Sequence, residues 1–366
     1  MTEKRDVVVV GAGTAGAATA LACAARGLSV LVLERGPLDR AGARWVNGVP
    51  GWAFDEAAIA RPTGDELHGS GQAFHLVAGW GPRRVVLRGH DVLDVDMRHL
   101  VARLQRLAGD AGAELRGGVR VQRLEDGVLH TSEGDVHARW FVDASGLAGA
   151  RLLSRAALAR ADLCAAAQEV RKIADDDGAR AFLARNGVRE GEALCFAGIA
   201  GGYSIVNVTV RRDTVGILTG SVPADGHPSG QRLLDDFVAR EPWIGARLFG
   251  GTRAVPLRRP YSQLAQGPVA LVGDAACQVF SAHGSGIGAG MVAGRMLGES
   301  LARGRGVEGY ARDWWRRYGA QYVFYDLFRR FSQLLSPRDM ERLMSIGVLS
   351  EGRLLAGLEQ RWPGRA

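Results

Sequence analysis

An apolar run, Val269–Val272, leads into a lone acid, Asp274. The chain then reads "HGSGIGAG" over 283–290, with glycine on alternate positions from Gly284 to Gly290. A carboxylate at the C-terminal end of a buried parallel strand lies on the edge where ligands bind in open α/β sheets. There it can accept hydrogen bonds from a polyol. A helix that opens near Gly286 with little side-chain cover offers unpaired N–H groups to developing negative charge. The pair suits a ligand with a hydroxylated arm and a ring edge that becomes anionic. His283 stands just ahead of that helix. An imidazole titrates near neutral pH, so His283 is a candidate proton donor or substrate orienter. The plainer reading is a histidine hydrogen-bonded to backbone in a tight loop. Cys277 reads as a small buried filler.

A second glycine cluster lies at the other end of the chain. "DVVVVGAGTAGAATALACAARGLSVLVLERG" spans Asp6–Gly36. Val7–Val10 is the continuous apolar run of a strand buried on both faces. Gly11, Gly13 and Gly16 form G-x-G-x-x-G, Ala17–Ala25 reads as a small-residue helix stopped by Gly27, and Ser29–Leu33 reads as a second buried strand closed by Glu34. In such a unit Gly11 permits the tight turn, Gly13 lets backbone approach a pyrophosphate, and Gly16 lets helix and strand pack closely. The helix N-terminus faces the phosphates. Glu34 falls about twenty residues on, where a carboxylate accepts from the adenosine ribose. A dinucleotide with a polyol arm is a flavin dinucleotide; nicotinamide dinucleotides have no such arm.

These elements need a chain that supplies them. At 366 residues it is long enough for two domains, or for one large domain with an insertion. Its 47% hydrophobic and 23% charged content is that of an ordinary globular enzyme. Cys23, Cys164, Cys195 and Cys277 are scattered with no C-x-x-C pair, which argues against a disulfide framework or a metal site and fits a reducing, cytoplasmic setting. The net charge of +7 is almost all arginine, since Lys4 and Lys172 are the only lysines. It fits an arginine-biased composition or a surface that attracts anions. No basic recognition helix or aromatic RNA-binding motif supports a nucleic-acid partner. The uncharged run from Val7 to Ala25 looks superficially like a signal or a membrane span, but its three internal glycines mark a strand and a helix on a sheet.

The spacing G-x-G-x-x-G with Glu34, then Arg98, then "VDASG" at 142–146, then "GDAA" at 273–276 with "HGSGIG" at 283–288, resembles the FAD-dependent hydroxylase superfamily of the p-hydroxybenzoate hydroxylase fold. That group includes aromatic monooxygenases, flavin-dependent halogenases and geranylgeranyl reductases, and the layout is most similar to geranylgeranyl reductase-like proteins. The resemblance implies FAD contacts at Ala15, Glu34, Arg98, Val121, Asp274, Gly286 and Ile287, beside Gly11, Gly13 and Gly16. Arg44 and Asn47 lie in the loop after Glu34, where relatives also touch the flavin.

The expected fold is α/β: a Rossmann-like, three-layer FAD-binding domain, an inserted, mostly antiparallel β-sheet substrate domain and a helical C-terminal tail. Residues 1–66, 91–157 and 262–302 are expected to build the first, 67–90 and 158–261 the second, and 303–366 the tail. "DVDMRHLVARLQRLAGDAGAEL" is helical, with Arg98 in its first turn. Val119–Leu124, Val128–Thr131 and Val136–Val142 read as strands, as do Gln72–Ala78 and Arg83–Arg88. Ser204–Val210 and Val215–Ser221 read as a hairpin that would wall a substrate cavity. In the tail, Trp314, Tyr318, Tyr322, Tyr325 and Phe328 recur on one helical face. Either that face packs on the FAD domain, or a greasy, basic surface meets a membrane or lipid.

Three chemistries compete on this scaffold. A halogenase needs a lysine in its cavity, and neither Lys4 nor Lys172 is placed for it; the W-x-W-x-I-P signature is also missing. A reductase would transfer a hydride from reduced flavin to a C=C bond of a hydrophobic isoprenoid or secondary metabolite, with a second hydrogen from a protein or solvent acid. Against that family's habit, the loop after Glu34 has "RWVNGVPGW" in place of its cysteine, and "GGYSIVNVTV" stands where Y-x-W-x-F-P is usual. A monooxygenase needs only a dry cavity. In both readings NAD(P)H or a reducing partner binds transiently, because no second dinucleotide fingerprint exists. A flavin-binding protein without turnover is the reading outside enzymology.

Overall fold

The computed structural model describes residues 3–362; residues 1–2 and 363–366, the ends of the expected first and last segments, lie outside them. Val7, Val8 and Val9 are wholly buried, and the strand that holds them, Glu3–Val10, runs parallel to Val30–Glu34 on one side and Gly134–Asp143 on the other. Val269–Leu271 and Glu114–Gly117 extend this parallel set outward. The register aligns Val10 with Leu33 and Asp143, and Asp143 with Leu271. The strand ends that precede Gly11, Asp274 and the "ASG" turn, with Glu34 itself, therefore share one edge. The hairpin Val121–Glu125 and Val128–Thr131 hangs from the same sheet.

The first helix, Thr14–Ala24, begins three residues earlier than its sequence predicts, with Gly13 as its N-cap. Gly16 lies inside it, at a helical cost of about 1 kcal/mol relative to Ala. The reason is contact: a Cβ on Gly16 would stand 1.9 Å from the Gly11 carbonyl oxygen. A second small-residue helix, Ile287–Ala302, crosses the first. Cβ atoms at Gly290, Gly294 and Gly298, four residues apart on one face, would meet Ala15 at 3.0 Å, Thr19 at 2.8 Å and Ala22 at 2.8 Å. Only the front of the glycine series keeps open backbone, because Gly288 is pressed on Ala53 as Gly290 is on Ala15. The expected bare stretch is thus shorter than its glycines suggest.

A seven-stranded sheet forms the second layer, in the order Ile244–Pro256, Leu163–Ile173, Thr214–Ser221, Ser204–Arg211, Ala193–Ala197, Phe74–Ala78, Arg84–Leu87. All its pairings are antiparallel except that of Ala193–Ala197 with Phe74–Ala78. Helices Asp176–Asn186 and Gly230–Arg240 bury Phe182 and Phe237 against one of its faces. From the other face Gln168 reaches the Val46 carbonyl at 2.6 Å. Val46–Pro50, Val92–Asp96 and Leu67–Ser70 form a small third sheet that the sequence patterning did not reveal. Leu67–Ser70 pairs there, so the sheet boundary falls after Ser70.

In the tail, helix Gly306–Ser332 buries Tyr310, Trp314, Tyr322 and Tyr325, and Trp314 and Tyr322 belong to the core of the parallel sheet. The aromatic face packs inward. Helices Pro337–Ser345 and Glu351–Leu358 return along the last two strands of that sheet, Phe74–Ala78 and the edge strand Arg84–Leu87. Among the described residues no helix is long and apolar enough to cross a membrane.

Candidate functional site

The site grows from the shared strand edge. Gly11 has φ +105°, and a Cβ there would sit 2.5 Å from the Ala144 carbonyl oxygen, so the first glycine turn and the "ASG" turn fit only because that side chain is absent. Asp143, wholly buried, holds the second turn by accepting from the N–H groups of Ser145 and, at 3.0 Å, Leu152. Across the first helix mouth the backbones of Gly13 and Gly42 face each other, with a Cβ on Gly13 only 3.2 Å from Gly42 Cα. Glu34 leans into this space. Its Oε2 accepts from Ala12 N at 2.9 Å and its Oε1 from Gly36 N at 3.2 Å. Gln105, a residue the sequence did not single out, donates to the Ala12 and Leu38 carbonyls at 2.9 and 3.0 Å and braces the same loop.

Arg98 has a partner the sequence hid. Asp96, wholly buried, caps the helix Met97–Asp110 by accepting from Arg98 N and binds the Arg98 guanidinium with both oxygens, at 3.0 and 2.6 Å. A cation in a helix's first turn is therefore compensated on the spot. Burial pushes the Asp96 carboxyl up, but hydrogen bonds from His68 and Arg98 outweigh it and hold it well below the usual range. The guanidinium also lies 3.7 Å from the ring centroid of Phe249, in the second layer. Val121 opens the hairpin. It is Val119 whose N–H bonds the Glu34 carbonyl, at 3.0 Å.

Asp274 sits in the short turn Gly273–Ala276, and its Oδ1 lies 3.1 Å from where a Cβ on Gly286 would be. The acid and the bare N-cap of helix Ile287–Ala302 are thus adjacent, as their spacing suggests. Burial raises the Asp274 pKa, and Arg253, from the second layer, partly opposes it. The turn is fixed by a buried chain: Gly273 N donates to Gln278 at 2.9 Å, Gln278 to Tyr310 Oη at 2.8 Å, and Tyr310 to the Leu271 carbonyl at 3.0 Å. Ala15 lies beneath, between Gly273 and Gly290.

Facing this turn is an apolar wall made by Cys164, Tyr203, Val222 and Leu257 with Ala166 and Val255. A Cβ on Gly284 would come within 3.4 Å of Tyr203 Oη, Val255 and Leu257. Burial, with the nearby Cys164 and Cys195 thiols, pushes the Tyr203 phenol well above its usual pKa, so it keeps its proton. A cleft of about 650 Å³ opens in the second layer, lined by Arg160, Cys164, Ala166 and Arg253 among others.

His283 lies in the loop ahead of helix Ile287–Ala302. Its ring packs 4.9 Å from Phe280, and its Nε2 is sealed from solvent without a partner. Burial pushes its pKa down to about 4, so it is neutral at pH 7 and is no imidazolium acid there. Cys277 is buried, with its thiol pushed up to about 11, and fits the filler reading.

The residues fit an FAD. The first helix opens at Gly13 with no side-chain cap, which suits a pyrophosphate, Asp274 beside Gly286 matches a polyol and a ring edge, and the Ser281 and Ser285 hydroxyls near that turn are buried without partners. Among the described residues no cluster could hold a metal ion. The sequence pattern of FAD dependent oxidoreductases matches residues 6–53. The digeranylgeranylglycerophospholipid reductase of Sulfolobus acidocaldarius is 25% identical, over 98% of this chain and 84% of that protein. The chain is an FAD-dependent oxidoreductase, geranylgeranyl reductase-like in build. The oxidoreductase is also 26% identical to the menaquinone reductase of Mycolicibacterium smegmatis, over 100% of this chain and 95% of that one. Its fold superposes on a geranylgeranyl bacteriochlorophyll reductase-like protein of Thermoplasma acidophilum with a TM-score of 0.81 at 19% identity, covering 100% and 98% of the two chains.

Proposed function

We propose that the oxidoreductase reduces a C=C bond of a hydrophobic isoprenoid or secondary-metabolite substrate. The observation that carries this reading is the apolar wall of Cys164, Tyr203, Val222 and Leu257, set directly against the Gly284 turn beside Asp274. Bound FAD, once reduced, would supply the hydride, and a protein or solvent acid the proton. Gly11, Gly13, Gly16 and Ala15 shape the loop that would cradle its pyrophosphate, and Glu34 and Val121 would contact its adenosine half. Arg98, oriented by Asp96, would be the dinucleotide's cation. Asp274 would hold the ribityl arm, and the N–H groups after Gly286, with Ile287, the ring edge. Tyr203 Oη keeps its proton at neutral pH and can donate a hydrogen bond to a substrate lying on the wall. His283, neutral at pH 7, would serve as a substrate orienter and not as an imidazolium acid.

The names of two relatives specify lipid substrates, a digeranylgeranylglycerophospholipid and a menaquinone, in accord with that wall. NAD(P)H or a reducing partner protein would deliver electrons transiently. The setting we propose is cytoplasmic, in accord with four cysteines that are free and buried. The test is mass spectrometry of products after incubating the FAD-loaded protein with isoprenoid lipids and a reductant. A gain of two hydrogens is expected. A gain of one oxygen under air would replace reduction by oxygenation, and flavin that NADPH and chemical reductants fail to bleach would point to an inert holder.

A further inference from the structure

The outer face of the long tail helix is apolar. Phe324 (40% exposed), Leu327 (59%), Phe331 (52%) and Leu334 (81%), at steps of three and four, project opposite the buried Trp314, Tyr322 and Tyr325. Trp362 (40%) stacks its ring 5.5 Å from Phe324 and widens the stripe. Seven of the nine large hydrophobic side chains exposed among the described residues lie between 324 and 362, with Ile346 and Val348 in the turn after helix Pro337–Ser345 completing the seven. Scattered exposed apolar residues need no explanation, but one contiguous stripe does. Around it the charge is positive: residues 303–362 hold eleven arginines against seven acids. Arg316 and Arg342 are both 79% exposed at the side chain, and Arg338 is exposed as well.

We propose that this face docks the protein on an anionic lipid bilayer, with the Phe324–Leu334 stripe and Trp362 in the interface and the arginines on the headgroup phosphates. Charge complementarity selects this occupant. Two copies of the chain meeting through this face would set arginine against arginine, since a two-fold contact pairs a patch with itself. A bilayer accepts aromatic and aliphatic side chains at the headgroup boundary and rewards basic residues beside them. Guanidinium groups suit phosphate through paired hydrogen bonds. Docking goes beyond the reaction assigned above and needs no turnover to be seen.

The experiment is flotation of the full, FAD-loaded chain with vesicles of phosphatidylcholine alone or mixed with phosphatidylglycerol. Wild type floats with the mixed vesicles and is released by high salt. Leu327→Glu with Phe331→Glu weakens partitioning by about tenfold or more, and Arg316→Gln with Arg338→Gln weakens it on the anionic vesicles only. These side chains lie outside the cofactor site, so the flavin absorbance stays. If the glutamate pair disturbs folding, Phe331→Ala gives the same direction with a smaller effect. Equal flotation of variants and wild type overturns the proposal, as does failure of wild type to bind either vesicle. A dimer in sedimentation that the same glutamates dissolve overturns it in favour of a second copy.

Discussion

Gln278 and Tyr310, both wholly buried and thirty-two residues apart, share a hydrogen bond of 2.8 Å that ties the Asp274 turn to the tail helix. The tail is thus part of the cofactor site's support. Tyr310→Phe leaves the Gln278 amide and the Leu271 carbonyl short of a partner, each already buried. The expected loss is about 1–3 kcal/mol of stability, read as a lower melting temperature, together with a lower flavin content after purification.

Asp274 sets stability against function. Its folded pKa lies above the ordinary carboxyl value, so the folded state holds the proton more tightly than the unfolded one. Stability from this group is complete below the unfolded pKa of about 3.8 and falls as pH rises through the folded value. At pH 7 the buried carboxylate is a cost to the FAD-free fold. Asp274→Asn should therefore raise the melting temperature of the apoprotein at pH 7 while weakening FAD by about 10–100-fold, the worth of a hydrogen bond to a charged group. Calorimetry with and without FAD reads both effects; a variant that binds FAD as wild type does would remove Asp274 from the site.

His283 has the opposite sign. Its pKa is depressed from 6.5 to about 4, so between those values the unfolded state binds the extra proton and stability falls as pH drops. Melting temperatures at pH 7 and pH 4.5 should converge in His283→Gln relative to wild type. Turnover of the variant should lack any loss of an inflection near pH 6.5, because the wild type has no such inflection from this residue.

Arg329 is buried at 1% exposure and pairs with Asp162 at 2.8 Å and Asp326 at 3.0 Å. It pins the tail helix to the start of strand Leu163–Ile173. Arg329→Met leaves the two buried carboxylates with only the half-exposed Arg330, at 3.2 and 3.4 Å, and should cost about 3 kcal/mol, seen in denaturant unfolding. Arg329→Met with Asp162→Asn and Asp326→Asn should recover much of that loss.

The periodicity and glycine spacing of this chain determined the parallel sheet, the dinucleotide loop, the acid at the end of Val269–Leu271 and the existence of an aromatic face on the tail helix, but not that this face turns inward. These are local matters: a continuous valine run, a missing Cβ and a helical step each act within a few residues. Tertiary structure decided the rest. It laid the Arg98 guanidinium over Phe249 of the second layer and set Gly288 and Gly290 against neighbouring helices in place of a ligand. It also desolvated the His283 imidazole and lowered its pKa, because desolvation depends on how separate segments of the chain pack around it.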